Sequence, residues 1–258
     1  MTDVAALYAE GRGRITSLVE GLSDEDAKAP VPTCPEWSVH DVLSHLAGVC
    51  ADVLSGNIGG VASNSWTEAQ VAARRAHSVE QIVAEWNEVA PQVESFANNF
   101  PGRVGDQWVT DQTTHEHDIR LALGRPGARD SDAVHLGADF LIGGFGAALR
   151  AHGLGPLEVR AGSRSWVVGG GEPAGDEAAI AEALENALSA AVLGDGPPAP
   201  DGSPVGVLEA PCFELLRACT GRRSAAQVAA YSWTVDPAPY VAAFQFGPFT
   251  TSPVDIEE

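Results

Sequence analysis

Apolar side chains recur at three- and four-residue spacings through nearly all of the first 150 residues, a pattern typical of amphipathic helices. Each such helix has one apolar stripe and must bury it against another element. Capping residues, glycines and prolines divide this part of the chain into helical segments predicted at 3–22, 38–54, 78–96, 108–124 and 131–152. These segments, with no strand signal among them, predict an N-terminal all-α, up-and-down bundle of the four-helix type.

Local signals define the helix boundaries. Ser38 is a good N-cap with Asp41 three residues later, and Gly56 follows the end of that helix. The proline-containing stretch 30–35 before it is predicted as a loop. Ser78 caps the next long helix, in which Pro91 predicts a kink or a break.

The pattern changes after residue 155. It predicts strands at 157–160 and 165–168 around a turn, an alanine-rich helix at 176–193, a proline-rich loop at 194–204, a strand at 205–208, and helices at 212–219 and 224–231. This mixture predicts a small C-terminal α/β (α+β) domain over residues 156–258, after a bundle domain over residues 1–155.

Charge and composition exclude several classes of partner. Acidic residues number 35 against 15 basic ones, and a net charge of −20 repels both a phosphate backbone and an anionic membrane surface. No apolar stretch approaches the roughly 20 residues that a membrane span needs. The four cysteines lack a paired spacing and the first residues lack a signal-peptide pattern, so we expect a cytoplasmic protein with reduced thiols.

Polar residues occur where a helical core is expected. His45 lies within the apolar stripe of the second predicted helix, and a buried imidazole needs polar partners. On the fourth helix, Asp111 and His115 are one turn apart on the face that also carries Trp108 and Ile119. A carboxylate and two imidazoles are therefore predicted inside the bundle.

A metal ion accounts for these groups. Asp111 and His115 can chelate one ion from a single helix, and His45 can supply a third ligand from a facing helix, which leaves one position open. This donor set suits Zn²⁺, although Fe²⁺ and Ni²⁺ accept the same donors. Asp41 and Asp118 can orient the two imidazoles. A single interior histidine is more often a core residue than a ligand, so the prediction depends on the three residues together.

Other polar residues carry weaker signals. His117 is predicted to face solvent, because it lies on the side of its helix away from Asp111 and His115. Arg222 and Arg223 follow a predicted helix and can bind a carboxylate, so we predict them as cofactor-binding residues, although most such pairs are only solvated.

The segments that carry a family resemblance are Val31-Pro32-Thr33-Cys34-Pro35-Glu36-Trp37-Ser38-Val39, Asp41-Val42-Leu43-Ser44-His45-Leu46-Ala47-Gly48, Trp66-Thr67-Glu68-Ala69-Gln70-Val71, residues 111–126, Phe213-Glu214-Leu215-Leu216-Arg217 and Thr220-Gly221-Arg222-Arg223-Ser224. With these segments the sequence resembles the maleylpyruvate isomerase family of mycothiol-dependent enzymes, the actinobacterial branch of the DinB-like metal-binding bundles. The resemblance extends over both predicted domains.

The resemblance implies a divalent metal, usually zinc, held by a histidine on the second helix and a Glu-x-x-x-His pair on a later one. These positions fall on His45, Asp111 and His115, with Asp111 one methylene shorter than the family's glutamate. The resemblance also implies mycothiol as the thiol cosubstrate, whose thiolate either adds to a double bond in cis–trans isomerisation or captures an electrophile in S-transfer. The electrophile, further catalytic residues and the oligomeric state are not predicted.

Two alternative functions share this donor set. In a metal-activated hydrolase the ion would lower the pKa of bound water, with Asp111 or Glu116 as the base. In a non-catalytic DinB-like protein the bundle would bind metal or ligand without turnover. Dependence of activity on an added low-molecular-weight thiol distinguishes the enzyme hypotheses from each other.

Overall fold

The computed structural model describes residues 2–193 and 202–258. These residues form a helical N-terminal part and a C-terminal part that combines a small sheet with helices. They group into two compact units: the first comprises Met1–Phe100 and Asp111–Gly127, and the second comprises Pro101–Thr110 and Ala128–Glu258. The predicted boundary near residue 155 stays a prediction.

The elements that begin the chain are α1 (Val4–Leu18), α2 (Asp24–Ala27), β1 (Pro30–Val31), β2 (Cys34–Ser38), α3 (Val39–Ser55), α4 (Asn64–Arg74), α5 (Val79–Ala97) and α6 (Val104–Ala122). Within the first unit α3 packs on α4 and α5, and α1 packs on α5. The core includes Tyr8 and Trp86, whose rings meet edge to face with centroids 6.3 Å apart. Trp86 Nε1 donates to Tyr8 Oη at 3.2 Å, so the polar atoms of both buried rings have partners.

Helix α3 has the predicted boundaries. Ser38 and Asp41 form a complete capping box, in which the Ser38 N–H donates to Asp41 Oδ2 at 2.9 Å. The helix ends at Gly56, whose φ of 75° is left-handed and therefore favours glycine. This well-defined helix carries His45.

The structure contradicts two expectations for the first unit, the loop at 30–35 and a break at Pro91. Residues within the stretch predicted as a loop pair as strands β1 and β2, with Pro30 opposite Ser38 and Val31 opposite Cys34, so the N-terminal part is not purely helical. Helix α5 also continues through Pro91 without a break. Pro91 is exposed, while the opposite face of α5 is buried, and this packing maintains the helix despite the lost hydrogen bond.

Helix α4 was not predicted. Its sequence contains few large apolar side chains, so it lacks a continuous apolar stripe. Ser63 nevertheless caps it, since the Ser63 hydroxyl accepts from the Trp66 N–H at 3.4 Å.

The second unit confirms the predicted mixture of strands and helices. It contains α7 (Asp132–Ala151), β3 (Leu157–Ala161), β4 (Arg164–Val168), α8 (Glu177–Leu193), β5 (Gly206–Glu209), α9 (Cys212–Cys219), α10 (Ala225–Ala229), β6 (Ser232–Trp233), α11 (Ala238–Val241) and a 3₁₀ turn (Ala242–Phe244). The sheet order is β4-β3-β5-β6, with β3 and β5 parallel and the other pairs antiparallel. Most of the predicted loop 194–204 lies outside the described residues.

Helix α7 packs on α8 and α9 within the second unit, where buried aromatic rings such as Phe140, Phe145 and Phe244 fill the core. None of the helices over residues 2–193 and 202–258 is both long enough and apolar enough to cross a bilayer.

Candidate metal centre

Helices α3 and α6 bring the three predicted ligand residues together. His45, Asp111 and His115 each offer a ligand atom within 4.8 Å of the other two. His45 Nε2 lies 3.4 Å from Asp111 Oδ2, and His115 Nε2 lies 3.7 Å from Asp111 Oδ1. The shorter side chain of Asp111 therefore reaches both imidazoles directly.

The spacing of these atoms fits one ion. A tetrahedral zinc site with bonds of about 2.1 Å separates neighbouring ligand atoms by about 3.4 Å. Both imidazoles are buried, whereas the Asp111 side chain is 38% exposed, so solvent reaches the group from the aspartate side. Two imidazole nitrogens and a carboxylate brought this close together can share a cation or a proton.

Asp118 orients His115, as predicted. The His115 ring donates from Nδ1 to Asp118 Oδ2 at 3.1 Å, which leaves Nε2 directed at Asp111. Asp118 is fully buried, and its other oxygen accepts from the Thr33 hydroxyl at 2.8 Å. This is the carboxylate–histidine arrangement that fixes the ring of a metal ligand.

A glutamine, rather than the predicted Asp41, forms the hydrogen bond with the His45 ring. The carboxylate of Asp41 accepts from the N–H and hydroxyl of Ser38 in the capping box, at 2.9 and 2.7 Å. His45 Nδ1 instead lies 2.8 Å from Gln70 Oε1, and Gln70 belongs to the helix α4 that sequence analysis missed. The only sequence signal for Gln70 is its place in the family-like segment Trp66–Val71.

The pKa of His45 reflects opposing effects. Burial lowers the pKa, but the charge of Asp111 and hydrogen bonds with Asp111 and Gln70 outweigh burial, so the pKa is raised above its ordinary value. The imidazole therefore lies in a negative local potential, which also favours a metal cation.

Two tryptophans border the group. The Trp37 ring centroid lies 5.3 Å from that of His45 and 5.9 Å from that of His115, onto which it stacks. Trp66 meets His45 edge-on at 6.5 Å, and its Nε1 donates to Asn57 O at 2.9 Å. Strand β2 and helix α4 thus provide apolar walls beside the ligand atoms.

The solvent-facing position predicted for His117 is wrong. His117 is only 3% exposed, because every residue from 112 to 119 of α6 is buried and the helix has no solvent-facing side there. Glu116, the alternative base in the hydrolase hypothesis, is fully buried and pairs with Arg14 at 2.8 Å and Arg120 at 2.9 Å. Two guanidiniums thus occupy this carboxylate.

Arg222 and Arg223 are buried in the second unit rather than solvated. Arg223 Nε donates to Glu214 at 2.7 Å, and Arg223 Nη1 donates to Glu258 at 3.4 Å. Arg222 Nη1 donates to the Thr220 carbonyl. Arg223 thus binds two carboxylates of the chain itself, and Arg222 binds a backbone carbonyl. That either residue binds a cofactor stays a prediction.

All four cysteines are free thiols. Cys50 is fully buried, and its Sγ lies 3.3 Å from Tyr8 Oη; burial raises the pKa of its thiol to about 11. Cys34 is half-buried on β2, with Sγ 4.0 Å from Asp118 Oδ2. Cys50 is thus a core residue.

The first unit is mainly helical, and two of its helices, α3 and α6, contribute the three residues of a candidate metal centre. This combination defines the class of protein. Residues 8–126 match the family model described as the mycothiol maleylpyruvate isomerase N-terminal domain, the family that the sequence resembles. The match includes all three candidate ligands and ends before the second compact unit resumes. Comparisons with curated proteins and with solved structures find no match to the chain.

Proposed function

We propose that this protein is a divalent-metal-dependent enzyme that uses mycothiol, either as a thiol S-transferase or as a cis–trans isomerase. In this proposal the N-terminal helices are a DinB-like up-and-down bundle. The observation that carries the proposal is the convergence of His45 Nε2, His115 Nε2 and the Asp111 carboxylate. The family match of residues 8–126 supports mycothiol as the thiol.

A bound divalent cation would supply the positive charge that lowers the pKa of a thiol held beside it toward neutrality. The residues of the chain have complementary tasks. His45 and His115 hold the cation from the buried side, while Asp111 reduces its net charge from the exposed side. Trp37 and Trp66 limit water on two flanks and offer apolar contact to an electrophilic substrate.

Zinc is the proposed ion, because two imidazoles and one carboxylate with an open position form a common catalytic zinc donor set. The partners in this proposal are a small-molecule thiol and an electrophile, in the reducing cytoplasm where the four free thiols are stable. In the hydrolase alternative Glu116 is already engaged by Arg14 and Arg120, which leaves Asp111, a proposed metal ligand, as its base.

Metal analysis of the purified, untagged protein tests the ligand set. We expect close to one equivalent of a divalent transition ion in the wild type, and loss of that ion in H45A and in H115A with little change in helical circular dichroism. H40A is the matched control on the same helix as His45, since His40 bonds the His77 carbonyl instead, and it should retain the ion. Full occupancy in both H45A and H115A would refute the ligand assignment.

Activity assays test the thiol. The metal-loaded protein should convert a maleyl-type or other soft electrophile only when mycothiol is added, and H115A should lose this activity. Turnover of ester or amide substrates without any thiol would favour the hydrolase alternative. Metal binding without turnover over a broad electrophile panel would favour the non-catalytic alternative.

A further inference from the structure

The hydrogen bonds behind His45 form a chain of three side chains. His45 Nδ1 lies 2.8 Å from Gln70 Oε1, and Gln70 Nε2 donates to Asp52 Oδ2 at 2.6 Å. Asp52 is further held by Asn57, whose Nδ2 donates to Asp52 Oδ1 at 2.8 Å. Gln70 is only 3% exposed, so water does not compete effectively for its amide.

The chemistry of Asp52 fixes the direction of every bond in this chain. A carboxylate only accepts, so the amide nitrogen of Gln70 must face Asp52 and the amide oxygen must face His45. That oxygen also only accepts, so His45 must carry its proton on Nδ1. The other ring nitrogen, Nε2, faces Asp111 and His115 and can give its lone pair to an ion there once it carries no proton.

The chain depends on a close approach of α4 to α3. A Cβ on Gly48 would lie 2.6 Å from the Gln70 Cβ and 2.7 Å from its Cγ, so only glycine allows Gln70 this position. Arg74, one turn further along α4, anchors the backbone, since its Nη1 donates to Gln70 O at 3.0 Å and its Nε pairs with Glu85 at 3.0 Å. A largely polar helix is thereby held against the helix of the candidate ligand.

We propose that Gln70, oriented by Asp52 and admitted by Gly48, is a positioning residue that keeps His45 in the Nδ1-protonated tautomer and presents its Nε2 to the metal. This inference rests on the proposed function for the ion itself. Helix α4 then has a specific role at the candidate metal centre, since it places the Gln70 side-chain amide beside Nδ1 of His45. Loss of such a partner behind a metal-bound histidine typically weakens metal affinity about 10- to 100-fold.

Competition with a chromophoric chelator for Zn²⁺ tests the assignment. Q70M preserves side-chain length but removes the acceptor, and we expect its zinc affinity to fall about 10- to 100-fold. The double variant D52N/Q70E exchanges donor and acceptor, because the glutamate can accept from His45 Nδ1 and from the new asparagine, and its affinity should return close to that of the wild type. V71A removes a buried side chain of α4 but leaves Gln70 intact, so it should bind zinc normally.

A second readout needs no metal. In the metal-free protein, at a pH where His45 is neutral, Gln70 and Asp111 compete for the single ring proton. ¹⁵N NMR should therefore show a larger Nδ1-protonated fraction of His45 in the wild type and in D52N/Q70E than in Q70M. Wild-type affinity in Q70M, equal losses in Q70M and V71A, or an unchanged tautomer would overturn the inference. A wild type that binds no metal but shows the predicted tautomer change would instead overturn the proposed function and leave the positioning of His45 supported.

Discussion

Replacing Gly48 by alanine tests how tightly α4 is placed against α3. Gly48 lies inside a helix, where alanine is ordinarily the better residue by about 1 kcal/mol. Propensity alone therefore predicts that G48A stabilises the protein. The structure predicts the opposite sign, together with a loss at the candidate centre.

The magnitude follows from the contact distances. The added methyl carbon would lie 2.6 Å from Gln70 Cβ, whereas carbon atoms pack at about 3.5–4.0 Å. The helices must separate locally by about 1 Å, and overpacking of this kind costs about 1–3 kcal/mol. After the propensity gain, G48A should lower the free energy of unfolding by up to about 2 kcal/mol. Because the added methyl group displaces Gln70, the zinc affinity of G48A should fall about 10-fold or more.

Gly13 provides the matched control. It also lies inside a helix, α1, but a Cβ there would meet nothing within 4 Å. G13A should therefore raise the free energy of unfolding by about 1 kcal/mol and leave zinc affinity unchanged. Urea denaturation followed at 222 nm, with chelator competition on the same preparations, measures both quantities. If G48A stabilised the protein as much as G13A and bound zinc normally, the close approach of Gln70 to α3 would be refuted.

Two further predictions concern other parts of the chain. Burial raises the pKa of Glu214, but its hydrogen bond and charge interaction with Arg223 outweigh burial and lower the pKa below its ordinary value. The ionised Glu214 therefore stabilises the fold above the pKa that it has in the unfolded chain, and this stabilisation is lost as the pH falls through its lower pKa in the folded protein. E214Q should lower the free energy of unfolding by about 1–3 kcal/mol at pH 7, and by progressively less below about pH 4. Urea denaturation of the wild type and of E214Q, at pH 7 and again below about pH 4, measures this difference. An equal loss of stability at the two pH values would contradict the prediction. In α5, P91A restores a helix N–H at an exposed position, so it should raise the free energy of unfolding by up to about 3 kcal/mol. The urea midpoint should rise accordingly, and a lower midpoint would mean that α5 requires the proline geometry.

Sequence patterns predicted those elements that carry their own signals. The capping box at Ser38 and the glycine at Gly56 define α3 locally, so both its boundaries and the inward direction of His45 follow from spacing. Strands β3 and β4 are likewise joined by a short turn, and their pairing is confirmed. Such features depend on residues that are close in the chain.

Other features depend on partners distant in sequence. His117 was misplaced because helical periodicity assumes one wet face, and α6 has none between residues 112 and 119. Hairpin β1–β2 is too short to show an alternating pattern, and α4 lacks an apolar stripe. Gln70 could not be predicted from its spacing, because a glutamine on a helix without an apolar stripe is expected at the surface. Its burial depends on the close contact with Gly48 of α3, which is distant in sequence.

The division of the chain into compact units also bears on how such a protein can evolve. The chain leaves the first unit after Phe100, returns at Asp111 and leaves again after Gly127, and one continuous helix, α6, includes the return. A single genetic crossover after Gly127 would carry the whole first unit, but with it residues 101–110 of the second. Those ten residues are therefore inherited together with the part of α6 that bears Asp111 and His115, and no single crossover can exchange the second unit whole.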